Sequence, residues 1–524
     1  MNNRPVFAIV LDAHLPFIRH SPEPYSLGER RFFESLSETY LPLLQVFDRL
    51  DGDHVPFRMA VSLSPTLCYM LADERLISRY LDYTDKRIEF GARELEQCSG
   101  NPRLEELVKH FYDQTLDKRV LFTGRYEKNI LKVFDYYQRK GRIELLGTGA
   151  THAFLPFFTP YPEAVQAQFE VAIAAYRGNF GKYPQGFWLP EMGWAAELDS
   201  WLRSYNFAYT LVDTHALVFA RSFAERGSFY PAKTPLGIFV LGRDFYAAED
   251  LTAMARDPLY RDNRKDAGYE LPLDRVRLFL SARGGRTGTG YKYWASGGDE
   301  FYDPLLASEK VKEHARSFLK ARVSRLKLAG ELMAGKTPCC LCAMEADFFG
   351  SRWYEGPQFL EALFREAGKA EEIQFMTPAE YLYKQDSADF QTMVPEFSSW
   401  GTNGYGETWL DASNDWMYRH TLQALERMIE IAERFPNNSG LKERILNQAA
   451  REILLVMGSD WPKMLYKQEF PEYARRQIES SLRNFTTIYE ALGSSYISTE
   501  WLTNLERKDN IFPHINYRVF RRKR

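Results

Sequence analysis

The 524-residue sequence predicts an α/β protein in which a closed or nearly closed β/α barrel precedes an all-helical module. Short apolar runs alternate with amphipathic stretches through the first three-quarters of the chain. Several of these runs are apolar throughout, which is typical of parallel strands covered by helices on both faces. From about Trp400 onward, helical periodicity continues without clear strands. Because the alternating units are numerous, a barrel is favoured over an open sheet.

The predicted elements follow one another along the chain. The strand candidates are Val6–Leu11, Phe57–Leu63, Ile143–Leu146, Gly186–Leu189, Ala208–Val212, Gly237–Leu241, Val276–Leu280, Pro338–Met344 and Ile373–Met376. The amphipathic stretches between them include Glu29–Leu50, Leu104–Lys140, Glu163–Asn179 and Ser308–Ala334. Three long helices are expected at 414–434, 440–457 and 468–493, and the basic tail 518–524 is expected to be frayed.

Composition narrows the class of function. The formal net charge of -3 argues against a general nucleic-acid binder, which needs a basic surface. An aromatic share of 15% fits a large core, and flat aromatic faces also suit sugar rings. No stretch approaches the ~20 apolar residues of a membrane span. The apolar run Val6–Leu11 is too short for a secretory signal, so we expect no membrane partner.

Cysteine usage indicates a reducing environment. Three of the five cysteines cluster at Cys339, Cys340 and Cys342, and this pattern is not a disulfide framework. No cysteine or histidine pair accompanies them at zinc-binding spacing. We therefore expect a cytoplasmic protein that holds no metal and needs no other cofactor.

Ionisable side chains follow several of the predicted strands. Asp12 and His14 follow the first strand, and His152 and Glu191 follow two later ones. Glu345 and Asp347 come directly after the cysteine-rich strand. In parallel sheets and barrels, the carboxyl ends of the strands carry the chemistry. Carboxylates from two different strands suit glycosidic bond cleavage, in which one attacks or stabilises the anomeric carbon and the other protonates the leaving oxygen.

Five sequence blocks along the chain carry a further signal. They read AHLPFIRH at 13–20, ELLGTGATHAFLPFF at 144–158, GFWLPEMGW at 186–194, MEADFFGSRWYEGP at 344–357, and SSWGTNGYGETWLDASNDWMYRH at 398–420. Two further short segments belong to the same set, TGYKYW at 289–294 and SDWPKM at 459–464. In this order the blocks resemble glycoside hydrolase family 57 and its branching-enzyme-like members, and the likeness spans almost the whole chain.

The resemblance implies a (β/α)7 barrel at 1–195 and 236–398, a small inserted region at 196–235 and a helical domain at 399–524. It implies a retaining mechanism on an α-glucan such as glycogen, amylose or a maltooligosaccharide, with Glu191 as nucleophile and Glu345 as acid/base. A water acceptor gives hydrolysis, a sugar 4-hydroxyl gives disproportionation, and a 6-hydroxyl gives a branch. We expect a monomer or a small homo-oligomer.

Four positions depart from the family pattern. Glu345 stands where the family has Asp, and Asp347 stands where it has Glu, so Asp347 is the alternative acid. Asp12 replaces the first of two histidines. Met254 falls where the loop tyrosine of branching members is expected.

The predicted substrate-binding residues combine strand-end positions with positions in the family blocks. They are Asp12, His14, His152, Trp188, Trp294, Trp353, Trp400, Trp409, Asp460 and Trp461. Each has a structural alternative: Glu191 and Asp460 could serve helix starts, the histidines could be buried and satisfied, and the tryptophans could be core residues. Trp294 and Trp400 are favoured as stacking platforms.

Four functions remain open at this point. The leading one is a retaining glucan transferase of the branching type. The others are an α-amylase or 4-α-glucanotransferase without branching activity, a catalytically degenerate homologue that binds α-glucans, and a metal-dependent sugar deacetylase. The last would use Asp12 and His14, but the sequence lacks a second HxxxH-type pair.

Overall fold

The structure is a computed structural model, and it describes residues 4–21, 25–98, 100–281, 284–333, 335–370, 372–494 and 498–523. Its nine strands form one sheet. They are β1 Val6–Ala13, β2 Met59–Leu63, β3 Ile143–Thr148, β4 Gly186–Trp188, β5 Tyr209–Val212, β6 Ala232–Lys233, β7 Phe239–Gly242, β8 Cys339–Glu345 and β9 Gln374–Phe375.

Seven strands curl into the barrel in the order β7-β5-β4-β3-β2-β1-β8, and all of these pairs are parallel. The two ends approach each other because Arg243, directly after β7, forms a parallel bridge with Leu341 of β8. The short β6 is antiparallel to β7, and β9 adds to β1. The predicted (β/α)7 barrel is confirmed.

The helices cover the outside of the barrel and form the C-terminal module. Their bounds are α1 Leu27–Ser35, α2 Leu41–Gly52, α3 Pro65–Ala72, α4 Glu74–Gln97, α5 Pro102–Thr123, α6 Ile130–Arg139, α7 Pro162–Phe180, α8 Leu198–Ser204, α9 Thr214–Val218, α10 Phe245–Met254, α11 Ala267–Glu270, α12 Pro304–Glu331, α13 Gly356–Ala370, α14 Pro378–Tyr383, α15 Asp415–Arg434, α16 Leu441–Val456, α17 Asp460–Lys467, α18 Pro471–Ser494 and α19 Thr499–Lys508. A π-helical turn, Leu36–Tyr40, joins α1 to α2. None of the described helices is long and apolar enough to cross a membrane.

Strand alternation separates two cores. Every residue of β1 is buried, because helices cover one face and the barrel interior lies on the other. Phe7, Ile9 and Leu11 belong to the core between the sheet and the helices. Val6, Ala8 and Val10 belong to the interior core, together with Trp188, Trp400 and Trp409. The period of two therefore carries the even positions of β1 into the barrel.

Eight of the nine strand candidates contain a strand, and Val276–Leu280 is the exception. That prediction is wrong, since Arg277–Phe279 forms a single 3-10 turn. Phe279 packs edge-on against Phe90 and Tyr83 of α4 instead of entering the sheet. A short apolar run does not reveal whether its neighbour will be a strand or a helix.

The predicted division of the barrel needs one correction. The stretch 196–235 is not a separate inserted region, because it contributes β5, which pairs with both β4 and β7. The excursion from the sheet lies later, at 255–303, where the described residues form only α11, the 3-10 turn and isolated bridges. This segment packs against α4 through Arg87 and Phe90.

The three long C-terminal helices are confirmed as α15, α16 and α18, which pack against one another. The expectation of a frayed tail is wrong for its described part. Tyr517 and Phe520 are fully buried in a 3-10 turn that packs against α7 and α16. Apolar side chains anchor the tail although its net charge is basic. Arg524 lies outside the described residues.

Candidate active site

The barrel interior presents two acidic side chains at the ends of adjacent strands. Asp12 follows Val6, Ala8 and Val10 on the inward face of β1, and Glu345 follows Cys339, Leu341 and Ala343 on the inward face of β8. The two residues are direct partners in the parallel register. Strand periodicity alone therefore brings these acids together at the carboxyl end of the barrel.

Glu191 follows β4 in a strained backbone turn. Its φ and ψ of 58° and 21° lie in the left-handed region, and Met192 also has a positive φ of 52°. Such a conformation costs roughly 1–3 kcal/mol per residue and persists only where surrounding contacts enforce it. Those contacts include a hydrogen bond at 3.0 Å from the backbone N–H of Trp400 to the backbone carbonyl of Glu191. The turn holds the side chain in the barrel mouth, where Glu191 is only 2% exposed.

The Glu191 carboxylate accepts two short hydrogen bonds from distant parts of the chain. The Trp400 Nε1–H donates to Oε2 at 2.6 Å, and the Ser459 hydroxyl donates to Oε1 at 2.9 Å. Burial by itself would raise the pKa of Glu191. Lys463, His152 and the two hydrogen bonds outweigh burial and bring this pKa below its usual range. The carboxylate is therefore ionised and fixed in orientation at neutral pH.

Two histidine rings stack beside Glu191, with centroids 3.9 Å apart and planes within 7°. His152 lies 3.0 Å from both Asp12 Oδ2 and Ser459 Oγ. Burial opposes its charged form, but Asp12 raises the pKa of His152 above its ordinary value. An imidazolium here donates one N–H to each partner. Ser459 is thereby left to donate its own proton to Glu191.

His14 has the opposite electrostatic balance. Burial lowers the pKa of His14, although the hydrogen bond with Asp460 Oδ2 at 2.8 Å works against this. A neutral ring that donates to Asp460 can accept the Ser64 hydroxyl at Nδ1, which lies 2.9 Å away. Asp460 itself has a pKa of about 2, because His14, His152 and Lys463 outweigh its burial. The two stacked rings thus have pKa values shifted in opposite directions.

Glu345 is held by cations. It forms ion pairs with Lys463 and Arg352, and its side chain is 27% exposed. The Lys463 ammonium also lies 3.5 Å from Glu191 Oε2, so one cation contacts both carboxylates. Asp347 lies in the 3-10 turn after β8 and accepts the Ser35 hydroxyl at 3.0 Å. Burial raises the pKa of Asp347 to about 6.

These side chains surround a cavity of about 350 Å³, which we call the main cavity. A second cavity of about 280 Å³, the tryptophan cavity, lies on the other side of Glu345 and Lys463, which line both. Together they form a cleft with Glu345 and Lys463 at the boundary between its two parts. Arg352 and Ser459 were missed by sequence reasoning, as was Lys463, although all three lie within the blocks 344–357 and 459–464.

The structure brings most of the predicted site residues together. The main cavity is lined by Asp12, His14, His152, Glu191, Glu345, Asp347 and Asp460. Trp400 and Trp409 line the tryptophan cavity. The other four tryptophans line neither cavity.

Those four tryptophans have packing partners. Trp188 is fully buried and meets Trp400 edge-on. Trp353 packs against Tyr260 and Phe359. Trp461 donates to the Leu455 carbonyl at 2.8 Å. Trp294, favoured as a stacking platform, is partly buried in the excursion 255–303 beside Tyr293.

Within the described residues, no group of three or more His, Cys, Asp and Glu side chains could hold a metal ion. Asp12 and His14, the pair considered for a deacetylase, turn to different partners. Asp12 bonds to His152, whereas His14 bonds to Ser64 and Asp460. The site is built from carboxylates, imidazoles and hydroxyls in hydrogen bonds.

A seven-stranded β/α barrel with acidic and aromatic side chains in a cleft at its strand ends is the architecture of a carbohydrate-active enzyme. The glycosyl hydrolase family 57 model matches residues 8–393, and the model described as 1,4-alpha-glucan branching enzyme, C-terminal, matches residues 420–520. The chain belongs to glycosyl hydrolase family 57.

Relatives in this family match nearly the whole chain. The structure of the α-amylase AmyC from Thermotoga maritima is 33% identical, with a TM-score of 0.93 over 99% of this chain and 100% of that one. The GH57-type branching enzyme from Pyrococcus horikoshii is 25% identical, with a TM-score of 0.89 over 99% of this chain and 97% of that one. The 1,4-alpha-glucan branching enzyme TK1436 of Thermococcus kodakarensis is 27% identical over 96% of this chain and 76% of its own length.

Proposed function

We propose that the chain is a retaining α-1,4-glucan transferase that forms branches by double displacement. The observation that carries this proposal is the buried Glu191 carboxylate, held ionised and oriented at the barrel mouth, with the Glu345 carboxylate beside it. One ammonium contacts an oxygen of each acid. That proximity fits the ~5–5.5 Å of a retaining pair better than the ~6.5–9.5 Å of an inverting pair.

In the first step, the Glu191 carboxylate attacks the anomeric carbon of the bound glucan. The bond from that carbon to the glycosidic oxygen breaks as the ester bond to Glu191 forms. A carboxylic acid on the other side transfers its proton to the leaving 4-oxygen. In the second step the same group removes a proton from the acceptor hydroxyl, which attacks the anomeric carbon and releases Glu191.

We assign the acid/base role to Glu345, with Asp347 as the alternative. Glu345 shares Lys463 with Glu191, whereas Asp347 accepts the Ser35 hydroxyl. Lys463 and Arg352 form ion pairs with Glu345 in the free protein. A bound chain that displaces one of these cations frees a Glu345 oxygen to carry the proton. Asp347 already has a raised pKa of about 6, which is the property of a proton donor.

The cleft supports a transfer reaction because it has room on both sides of the acids. We assign the donor chain to the main cavity and the acceptor to the tryptophan cavity. Trp400 and Trp409 line the latter, and indole faces pack well against sugar rings. Trp400 also donates to Glu191, so acceptor contacts and nucleophile orientation share one side chain.

The relatives support branching, with hydrolysis as the second candidate. The C-terminal model and two of the relatives carry branching-enzyme descriptions. Hydrolysis is favoured by one observation, the 33% identity to a protein described as an α-amylase. Met254, where a loop tyrosine of branching members is expected, ends α10 and lines neither cavity.

The deciding experiment is incubation of the purified protein with amylose, followed by debranching and chain-length profiling. New α-1,6 links support the proposal. Released reducing ends without new branches select hydrolysis, and redistributed linear chains select disproportionation. An unchanged profile, with amylose still bound in affinity electrophoresis, selects the degenerate homologue. Glu191→Gln serves as the inactive reference in each assay.

We further propose a cytoplasmic location and a monomer or small homo-oligomer. All five cysteines are free and buried, which suits a reducing compartment. Size-exclusion chromatography with light scattering measures the assembly. A stable assembly larger than a tetramer contradicts this proposal.

A further inference from the structure

A third cavity of about 310 Å³ adjoins the main cavity, and we call it the arginine cavity. It lies where α1, α4, the excursion 255–303 and the loop before α18 meet. Arg31 and Glu34 of α1 line both this cavity and the main cavity. The two spaces therefore share one wall, although none of the proposed catalytic groups lines the arginine cavity.

The acids that line the arginine cavity are already engaged. Glu38 forms a buried ion pair with Arg261 at 2.7 Å, and Glu34 pairs with Lys292 at 2.6 Å. Asp266 accepts hydrogen bonds from backbone N–H groups, including those of Thr289 and Gly290. These contacts leave the carboxylates little capacity to neutralise further cations.

The arginines of the same cavity are not engaged in this way. They are Arg30, Arg31, Arg87 and Arg264. In the part of the chain that the structure describes, none of the four forms an ion pair, whereas many other arginines do. The cavity therefore has an excess of positive charge.

Arg87 shows this excess most clearly because it is buried. It is 7% exposed, and its guanidinium lies between the rings of Tyr83 and Tyr291 at 5.6 and 5.8 Å. Its Nη2–H donates to the Gly290 carbonyl at 3.1 Å, but its buried Nε–H has no acceptor among the described residues. Burial opposes the charged form of Arg87, whereas the neighbouring tyrosines and Glu38 raise its pKa, and the Glu38 carboxylate is already paired with Arg261.

The backbone next to Arg87 makes room for its guanidinium. Gly290 has a φ of +77°, and a Cβ there would lie 2.6 Å from the Arg87 Cζ. A side chain at position 290 would push the guanidinium out of its place. Burial lowers the pKa of the nearby Lys118 to about 7, with Glu38 acting against this shift and Arg87 and Arg261 adding to it.

From this cavity and its arginines we infer a second binding site, which binds a hexose that carries a phosphate group. Planar guanidinium groups bind phosphate oxygens through paired hydrogen bonds. Two half-exposed aromatic side chains of the lining, Tyr269 and Phe470, offer flat faces to a sugar ring. The phosphate ester has two possible sources: a free sugar phosphate, or a phosphate group on a glucan whose chain continues into the main cavity past Arg31.

The test measures binding to the full-length protein by titration calorimetry, with glucose 6-phosphate, inorganic phosphate and glucose as separate probes. We expect saturable binding of glucose 6-phosphate below about 1 mM, weaker binding of phosphate, and no binding of glucose at this site. Arg87→Met should weaken glucose 6-phosphate binding at least about tenfold. Because Arg87 is buried, the exposed Arg264→Gln provides a second variant, with an expected loss of about threefold or more.

Arg93→Met is the matched control, since Arg93 lies on the same helix but is exposed and paired with Glu89. It should leave binding unchanged. Affinity electrophoresis in a phosphorylated glucan, before and after phosphatase treatment, distinguishes the two sources. If retardation in the gel is lost both after phosphatase treatment and in Arg87→Met, the phosphate ester belongs to the glucan. If glucose 6-phosphate binds in the calorimeter but the gel shows no such retardation, the ligand is a free sugar phosphate. Failure of the wild type to bind either form, or equal binding by all three variants, overturns the inference whatever the amylose assay shows.

Discussion

Glu191 and Glu345 face the same cleft, but the protein holds them in different ways. Glu191 is 2% exposed, its backbone is strained, and its carboxylate accepts neutral hydrogen bonds from Trp400 and Ser459. Glu345 ends a regular strand, its side chain is 27% exposed, and its described partners are the flexible cations Lys463 and Arg352.

The difference shows which acid is free to change its protonation state. Neutral donors on buried groups fix the position of a nucleophile before it attacks. An acid/base must gain and lose a proton, and partly exposed ion pairs can be exchanged for contacts with substrate. Lys463 links the two acids and belongs to the C-terminal module, so the module takes part in the electrostatics of the barrel.

The largest effect should come from Glu191→Gln, which keeps the shape of the side chain but removes the nucleophile. We expect turnover of amylose to fall by about 10⁴-fold or more, while binding of amylose and the melting temperature stay near those of the wild type. Glu197→Gln, an exposed change six residues later, is the matched control. Residual turnover within tenfold of the wild type would remove Glu191 from the mechanism.

The next effect separates the two candidate acids. Glu345→Gln should lower kcat by about 10²–10⁴-fold, as for the loss of a general acid, whereas Asp347→Asn should cost less than about tenfold. Activated substrates with good leaving groups should recover the first step of Glu345→Gln, because they need little protonation. If Asp347→Asn is the inactive variant, the proton donor lies one turn beyond the strand.

Lys463→Met should produce a smaller but diagnostic change in pH dependence. Lys463 is the main group that lowers the pKa of Glu191, so its loss raises that pKa and moves the acid limb of kcat/KM to higher pH. We expect this limb to move to higher pH, with a moderate loss of rate at neutral pH. Lys463→Arg should restore the wild-type limb, and an unchanged limb in Lys463→Met would show that the ammonium is not coupled to Glu191.

The smallest expected effect concerns stability. The folded-state pKa of Asp347 is raised from 3.8 to about 6, so its contribution to stability is fully present below pH 3.8 and is lost as pH rises through about 6. Asp347→Asn removes this dependence. The melting temperature of the variant minus that of the wild type should therefore be roughly 1–3 °C higher at pH 7.5 than at pH 4. Equal changes at both pH values would indicate that Asp347 titrates normally in the folded protein.

Much of the barrel follows from the sequence because its strands are buried on both faces. Continuous apolar runs mark such strands, and the period of two then decides that Asp12 and Glu345 point inward. The excursion 255–303 could not be predicted in this way. Its apolar run at 276–280 packs against a helix. Local periodicity shows that such a run is buried but not which element it packs against.

Sequence also could not decide which tryptophans reach the cleft. Trp188, Trp353 and Trp409 are all at most 1% exposed, yet only Trp409 lines one of the two cavities of the cleft. The same residue type fills a core or lines a cleft according to what packs beside it.

The sequence by itself determined the order of the elements, the acidic residues at the strand ends and the family to which the chain belongs. The tertiary structure alone decided how those residues are paired. Ser459 reaches Glu191 across 268 positions of sequence, and His152 reaches Asp12 across 140. The first pair forms only when the C-terminal module packs on the barrel mouth, and the second only when the strands assemble into the barrel. Local apolar patterns specify each element, but these long-range contacts set the charge and orientation of every group in the site.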